Sequence, residues 1–325
     1  MKNKFIVGAS VMLLSLTACG TTHYSPKDYI LNYDYHDNFR ILQLSDTHIA
    51  DKDDQYGQYE FLDSIIKEAN PDMIIVTGDL FSFASRMTAN RFFDFLESYN
   101  VPWTVTFGNH DEQCYFSIDW MTKTLNNYGK HCLFKDIQND DITGNANFAI
   151  NLNKDNKVFE QLIIMDSNRY YYGEYFGYDF FKENQIEWYK ELVEYTKTQN
   201  GGTLVDSLMF YHIPLPEIDD AYEKGTPVPD KNGISGEKRE DTCPPKFNSG
   251  FFDVIKKSGT KAMFFGHDHI NNFRREYEGV VFSYGLKSDN RVYYAEDMLG
   301  GQVITIKSDH SLEYEFIFKT YGEAK

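Results

Sequence analysis

Five short segments of the chain carry aspartate, asparagine and histidine in patterns that suit divalent metal ions. They are Ser45-Asp46-Thr47-His48, Thr77-Gly78-Asp79, Gly108-Asn109-His110-Asp111, the single His212, and Gly266-His267-Asp268-His269. Together they offer carboxylate oxygens, imidazole nitrogens and an amide carbonyl with no sulfur, a donor set for hard or borderline ions. One segment alone says little, because an Asp-x-His or Gly-Asp pair arises by chance and a lone His is usually a satisfied surface or core residue. The set says more, since each segment directly follows an apolar run. Five of the nine histidines stand in that position.

The apolar runs read as strands at Arg40–Leu44, Met73–Val76, Trp103–Phe107, Phe148–Leu152, Gln161–Met165, Leu204–Tyr211 and Lys261–Phe265. Between them Phe61, Leu62, Ile65 and Ile66 fall at helical spacing and Pro71 stops that helix; Phe92, Phe93, Phe95 and Leu96 mark another, and Asn184 to about Gln199 a third. Strands alternating with helices predict an α/β layered domain. In such domains ligands bind just beyond the carboxyl ends of strands, so the five segments are expected to converge on one pocket. After His269 short strands are expected at Phe273–Tyr277, Val280–Tyr284, Arg291–Ala295, Val303–Ile306 and Leu312–Phe318, with no strong helix. They predict a second, largely antiparallel sheet. The expected fold class is therefore α/β, a four-layer α-β-β-α sandwich of two mixed sheets flanked by helices, in one domain over residues 38–325. Pro214 to Ser249 reads as a long aperiodic loop, of the kind that is uncommon in compact domains unless functional or disordered. The tyrosine-dense run Arg169 to Tyr178 reads as a partly ordered surface loop.

The 325 residues hold 32 Lys and Arg against 49 Asp and Glu, a net charge of −17. Such a chain repels polyanions, which disfavours general nucleic-acid binding but not a small phosphorylated substrate held by local cations. At the N-terminus Lys2 and Lys4 precede the apolar run Phe5 to Leu16, too short to span a bilayer and suited to a signal-peptide core. Leu16-Thr17-Ala18-Cys19 resembles a bacterial lipobox, so residues 1–18 are expected to be removed and Cys19 to carry lipid, with residues 19–37 as a tether. The expected location is an exported lipoprotein at the bacterial cell membrane or surface. Cys114, Cys132 and Cys243 then remain with no CxxC pair; a thiolate zinc site is disfavoured and any disulfide pairing stays open.

The five segments, in this order, resemble the calcineurin-like metallophosphoesterase family, whose pattern is Asp-x-His, Gly-Asp, Gly-Asn-His-Asp/Glu, a lone His, and Gly-His-x-His. The resemblance runs from Asp46 to His269 and implies the metallo-dependent phosphatase fold with two divalent ions, Mn, Fe or Zn. It implies that Asp46, His48 and His269 hold one ion, that Asn109, His212 and His267 hold the other, and that Asp79 bridges them. The runs Tyr211-His212-Ile213-Pro214-Leu215-Pro216 and Cys243 to Gly250 resemble the branch of purple acid phosphatase relatives and the yeast phosphatase Dcr2. The purple enzymes place a metal-binding Tyr three residues beyond the Gly-Asp aspartate; here that position is Ser82, which speaks against a tyrosinate-iron site.

The implied reaction is hydrolysis of phosphate monoesters, with a hydroxide shared by two cations about 3.5–4 Å apart attacking phosphorus. His110 is expected to protonate the leaving oxygen or steady the phosphoryl group, and Asp111 to orient a histidine or cap the following helix. A phosphodiesterase or nucleotidase of the same fold is the neighbouring reading, and a non-catalytic binding lipoprotein the reading from another class. A nucleophilic Cys114 is also conceivable from its place after the Gly-Asn-His-Asp segment. Lys238, Arg239 and Lys246 are candidate phosphate contacts on the long loop, and Tyr170 to Tyr178 a candidate stacking surface for a nucleobase or aromatic leaving group.

Overall fold

Alternation of apolar side chains decides the layers of this molecule. The computed structural model describes residues 24–51 and 57–321; the expected signal peptide and Cys19 lie outside the described residues. In chain order the elements are β1 (Ile30–Asp34), β2 (Phe39–Leu44), α1 (Gln58–Ala69), β3 (Met73–Thr77), α2 (Arg86–Glu97), β4 (Trp103–Thr106), α3 (Ile118–Leu125), β5 (Phe148–Lys154), β6 (Lys157–Ile164), β7 (Tyr170–Tyr172) and β8 (Phe176–Tyr178). There follow α4 (Glu183–Gln199), β9 (Ser207–Phe210), α5 (Ile218–Lys224), β10 (Thr226–Pro227), α6 (Phe251–Ile255), β11 (Thr260–Phe265), β12 (Arg274–Tyr277), β13 (Val280–Tyr284), β14 (Gly300–Ile306) and β15 (Leu312–Phe318).

One sheet has five strands in the order β15-β14-β2-β3-β4, and the other has eight in the order β1-β5-β6-β9-β11-β13-β12-β10. Successive residues of a strand point to opposite faces, and here both faces are apolar. Leu162, Ile164, Leu208, Phe210, Ala262 and Phe264 face the core shared with the five-stranded sheet. Their neighbours Ile163, Met209, Tyr211, Met263 and Phe265 pack instead against Trp188, Tyr189 and Leu192 of α4 and Phe251 and Ile255 of α6. On the far side, Phe61, Leu62, Ile65 and Ile66 of α1 and Phe92, Phe93 and Leu96 of α2 cover the five-stranded sheet. The result is the expected α-β-β-α sandwich. Each fully buried Phe or Leu in it contributes about 1.5–3 kcal/mol relative to exposure.

The helices start and stop for local reasons. The Ser85 hydroxyl accepts from Thr88 N and caps α2. Asn70, in the left-handed conformation ahead of Pro71, closes α1. β2, β3 and β4 are parallel, joined by α1 and α2, while β6, β9, β11 and β13 run parallel in the other sheet. Parallel strands deliver their carboxyl ends to the same edge, which is what the site requires.

Several expectations are corrected. The strands after His269 form no sheet of their own: β12 and β13 extend the eight-stranded sheet, and β14 inserts between β15 and β2 of the other. Arg291–Ala295 is a loop in which Val292 takes a positive φ of 64°, a conformation that ends strand pairing for a β-branched residue. The tether expected to reach residue 37 ends sooner, because β1 pairs in parallel with β5 and buries Tyr29 and Tyr35 beside it. The tyrosine run forms the β7–β8 hairpin, and the long loop contains α5 and the edge strand β10. No helix among the described residues is long and apolar enough to cross a membrane.

Candidate metal centre

The five sequence segments meet at the carboxyl ends of their strands. Asp46 stands two residues beyond β2, Asp79 two beyond β3, Asn109 three beyond β4, His212 two beyond β9 and His267 two beyond β11. All are buried. Ligand atoms of Asp46, His48, Asp79 and His269 lie within 4.8 Å of one another. Within that group His48 Nε2 is 3.2 Å from His269 Nε2 and 3.8 Å from Asp79 Oδ2, and His269 Nε2 is 3.4 Å from Asp46 Oδ1. Asp79 Oδ2 also lies 3.2 Å from His212 Nε2, whose ring is 5.2 Å from that of His267. Asp79 therefore touches both halves of the cluster.

Two glycines make room for this convergence. A Cβ on Gly108 would fall 2.2 Å from Asp79 Oδ1, and one on Gly266 would fall 1.9 Å from Ser45 Oγ and 2.3 Å from Asp46 Oδ2. The motif glycines are thus spaces occupied by neighbouring ligand groups. Asp46, His48, Asp79 and His267 all take positive φ, between 40° and 82°. Left-handed backbone at four non-glycine residues of one pocket is strain concentrated where side chains must be aimed inward.

Backbone carbonyls set the histidine tautomers. His212 Nδ1 donates to the Thr77 carbonyl at 2.8 Å and His269 Nδ1 to the Tyr293 carbonyl at 2.9 Å, leaving each Nε2 lone pair free for a metal. His48 Nδ1 pairs with Ser82 Oγ at 2.8 Å, so the residue that replaces the purple enzymes' tyrosine orients a ligand from behind. Ser45 Oγ donates to Asp46 Oδ2 at 2.6 Å, and the backbone N–H of His267 reaches both Asp46 oxygens at 3.3 and 3.2 Å.

The protonation states fit cation binding. Burial pulls His267 down to about 3 and His48 well below the usual imidazole range, keeping both neutral as ligands must be. Burial acts against charge on His212 too, but the Asp79 and Asp46 carboxylates override it and raise His212 to about 10. Burial disfavours the charged form of Asp79, yet His212, His48 and His110 hold its carboxyl well below the ordinary range. Two buried carboxylates thus demand positive charge, which a proton on His212 supplies unless divalent ions do. Asn109 Oδ1 and His267 Nε2 are buried without hydrogen-bond partners. A buried orphan acceptor is costly, and two in one cluster suit a metal. The residues fit two divalent ions, one against Asp46, His48, Asp79 and His269, the other against Asp79, Asn109, His212 and His267.

His110 sits at the rim, partly exposed, with its backbone N–H on Asp79 Oδ1 at 2.7 Å and its ring 5.2 Å from that of His48. Its Nδ1 meets Gln113 Oε1 at 2.9 Å, and Gln113 Nε2 reaches Tyr170 Oη at 3.4 Å, which fixes the amide orientation. Among the described residues the Asp111 carboxylate touches no histidine ring. Its two oxygens accept from Phe81 N at 3.1 Å and Gly108 N at 2.8 Å, bracing the loops that carry Asp79 and Asn109. Burial and the nearby Asp79 carboxylate push Asp111 up to about 8.

Cys114, Cys132 and Cys243 are unpaired. Burial, with Asp111 close by, pushes the Cys114 thiol up to about 12, so a thiolate nucleophile is not formed near neutrality. Arg239 is committed to a bidentate pair with Asp297 at 2.7 and 2.9 Å, Lys238 lies 3.7 Å from Asp219, and Lys246 sits over the Tyr175 ring. The β7–β8 hairpin reaches the centre itself: Tyr170 Oη accepts from Asn109 Nδ2 at 3.0 Å, and the Tyr178 ring meets His267 edge-on at 4.3 Å. On the other side Tyr293 stacks on His269 at 4.3 Å. Three residues escaped the sequence reading: Gln113, Tyr293 and the buried Lys287, whose Nζ donates to the Asp46 carbonyl at 3.0 Å. Lys287 follows β13 just as the ligands follow their strands, and that rule would have found it. Gln113 and Tyr293 leave no such mark.

Comparison with known proteins agrees with this geometry. Residues 39–271 match the family model of calcineurin-like phosphoesterases. The chain is 27% identical over 290 residues to "Probable inactive purple acid phosphatase 29" of Arabidopsis thaliana, covering 78% of this chain and 73% of the relative. It is 27% identical over 263 residues to "Phosphatase DCR2" of Saccharomyces cerevisiae, covering 72% of this chain and 44% of the relative. A dimetal phosphatase from Danio rerio has the same fold, with a TM-score of 0.55 at 14% identity over 88% of this chain and all (100%) of that one. With the ordered motifs gathered in one buried centre and the family model spanning most of the domain, the chain belongs to the calcineurin-like phosphoesterase family.

Proposed function

We propose that this protein is a phosphatase that hydrolyses phosphate monoesters and works at a membrane surface, exported and held there by lipid on Cys19. The observation that carries the catalytic part is His110: a rim histidine with no ligand role, hydrogen-bonded through Nδ1 and standing beside the metal cluster. When bound, two divalent ions supply Lewis acidity toward phosphoryl oxygens and lower the pKa of coordinated water toward neutrality. The chain does the rest. Asp46, His48 and His269 would hold one ion and Asn109, His212 and His267 the other, with Asp79 within reach of both groups. Gln113 accepts from His110 Nδ1, which leaves Nε2 as the atom that passes a proton to the leaving oxygen, a transfer worth roughly 10²–10⁴-fold. Aromatic rings at Tyr178 and Tyr293 flank the two halves of the cluster.

The yeast relative's name supports a phosphatase. The word "inactive" in the plant relative's name favours a second reading, a binding protein that keeps the ions without turnover. The test is an assay of the mature chain, supplied with Mn, Fe or Zn in turn, on aryl and alkyl phosphomonoesters, diesters and nucleotides. Monoester turnover in proportion to metal content is expected. Preference for diesters would move the reading to a phosphodiesterase, and full metal content with no turnover on any substrate would establish the binding protein instead. For the anchor, the intact chain is expected in the detergent phase on phase separation, and Cys19→Ser in the aqueous phase. Equal partition of both would remove the lipid.

A further inference from the structure

A second cluster of metal-ligating groups lies far from the first. Glu160 belongs to β6, Asp206 immediately precedes β9, and His310 sits in the turn between β14 and β15. β6 and β9 are parallel and deliver their far ends toward Met165 and His212, so Asp206 marks the end opposite the metal centre. The β14–β15 turn comes to that same end, because Ile306 pairs with Phe39 at the start of β2. The two sheets are therefore bridged there by three side chains.

Ligand atoms of Glu160, Asp206 and His310 lie within 4.8 Å of one another. His310 Nδ1 is the common point, 3.5 Å from Glu160 Oε2 and 3.8 Å from Asp206 Oδ2. The independent observation is Glu160 itself. It is 0% exposed, its carboxylate is directed at His310, and its Oε1 has no hydrogen-bond partner. A buried carboxylate with one bare oxygen needs compensation that a single imidazole does not give. Lys261 does not give it directly, since its Nζ is engaged by Asp206 Oδ2 at 2.5 Å and the His310 carbonyl at 2.6 Å. The His310 ring is held flat against Phe159, 4.0 Å away and 16° from parallel, so its nitrogen is already aimed. A groove of about 480 Å³ lined by Phe159, Asp206 and His310 provides an entry path.

We propose that Glu160, Asp206 and His310 bind a third divalent ion, of the zinc type, which staples the β14–β15 turn to the eight-stranded sheet. Two carboxylates and an imidazole suit a borderline ion, with water completing the shell. The ion accounts together for the bare Glu160 oxygen, the two facing acids and the orientation of His310. Its role is structural, and it is independent of what the dinuclear centre hydrolyses.

The test uses the mature chain, stripped with chelator, loaded with Zn²⁺ alone and freed of excess by gel filtration, with zinc per chain counted by mass spectrometry. His310→Ala, at a partly exposed turn position, should bind one zinc fewer than the wild type, and Glu160→Gln should do the same. With zinc present both variants should melt below the wild type, and chelator should narrow the gap for His310→Ala to what the lost Phe159 stacking leaves. Equal zinc content in wild type and His310→Ala would overturn the proposal, as would a loss of more than one zinc by a His310→Ala variant that keeps its circular dichroism spectrum.

Discussion

His212 presents Nε2 to Asp79 Oδ2 at 3.2 Å while the Thr77 carbonyl, from the strand that carries Asp79, holds its Nδ1 at 2.8 Å. A single strand end thus supplies both the acid that bridges the cluster and the acceptor that aims its partner. Asp79 also accepts from the His110 backbone at 2.7 Å, tying the rim histidine to the same point. Loss of an outer-shell partner usually costs 10–100-fold in metal affinity, on the order of the effects seen in other metal sites. Asp79→Asn should cost more than that. Mass spectrometry of the purified variant should find at least one of the two central ions missing, and an unchanged count would remove Asp79 from the bridge.

His110 gives the opposite signature. Its ring touches Gln113 and lies beside His48, with no place in either ligand set. His110→Ala should keep the wild-type metal content while turnover of an aryl phosphate falls by roughly 10²–10⁴-fold. Metal content and kcat measured on one sample decide the matter: a parallel fall in both would make His110 part of the metal site.

The glycines of the motifs are testable as spaces. A methyl group on Gly108 would lie 2.2 Å from Asp79 Oδ1 and 2.4 Å from Asp79 N. Gly108→Ala must displace the bridging acid or its strand end, so it should bind metal more weakly and lose about 1–3 kcal/mol of stability as an overpacked site. Titration with Mn²⁺ and a chemical melt of the stripped protein would show both effects, and wild-type affinity would mean that the loops yield freely.

How much of this was legible in the sequence follows from the same geometry. The strand-end rule placed Asp46, Asp79, Asn109, His212 and His267 because parallel strands deliver their carboxyl ends to one edge. The glycines were legible as motif letters, though the reason for them, the room taken by Asp79 and Asp46, is a tertiary fact. The periods of β12 to β15 were readable, but period does not say which sheet a strand joins, and β14 pairs across more than 250 residues with β2. Arg291–Ala295 failed because its apolar residues serve a loop that seats Tyr293 on His269. β1 was hidden by its polar residues, half-exposed at a sheet edge.

The hairpin tyrosine offers a milder perturbation. Tyr170 Oη accepts from Asn109 Nδ2 at 3.0 Å and so turns Asn109 Oδ1 toward the cluster. Tyr170→Phe keeps the ring and removes the hydrogen bonds from Asn109 and, at 3.4 Å, from Gln113; the one to Asn109 is worth about 0.5–1.5 kcal/mol. Affinity for the central ion beside Asn109 should fall roughly two- to tenfold in calorimetry, by the same figure expressed as a binding ratio. A loss confined to turnover would mean that the hydroxyl acts through Gln113 and His110 and not through Asn109.

Glu160 makes the stripped protein sensitive to pH. Burial raises its carboxyl from 4.5 to about 8 in the folded chain. The folded state therefore binds this proton more tightly than the unfolded state does. Its contribution to stability is complete below about 4.5 and is lost as pH rises through about 8. The distance between those values sets an upper limit of about 5 kcal/mol. Glu160→Gln resembles the protonated acid and cannot titrate, so its stability should lose that part of the pH dependence. Urea melts in chelator at pH 5 and pH 8.5 should show the wild type weakening relative to Glu160→Gln at the higher pH. Parallel behaviour of the two proteins would mean that Glu160 is already ionised when folded, with Lys261 as sufficient counter-charge. Zinc added at the higher pH reverses the loss in the wild type alone, since only the ionised acid can bind it.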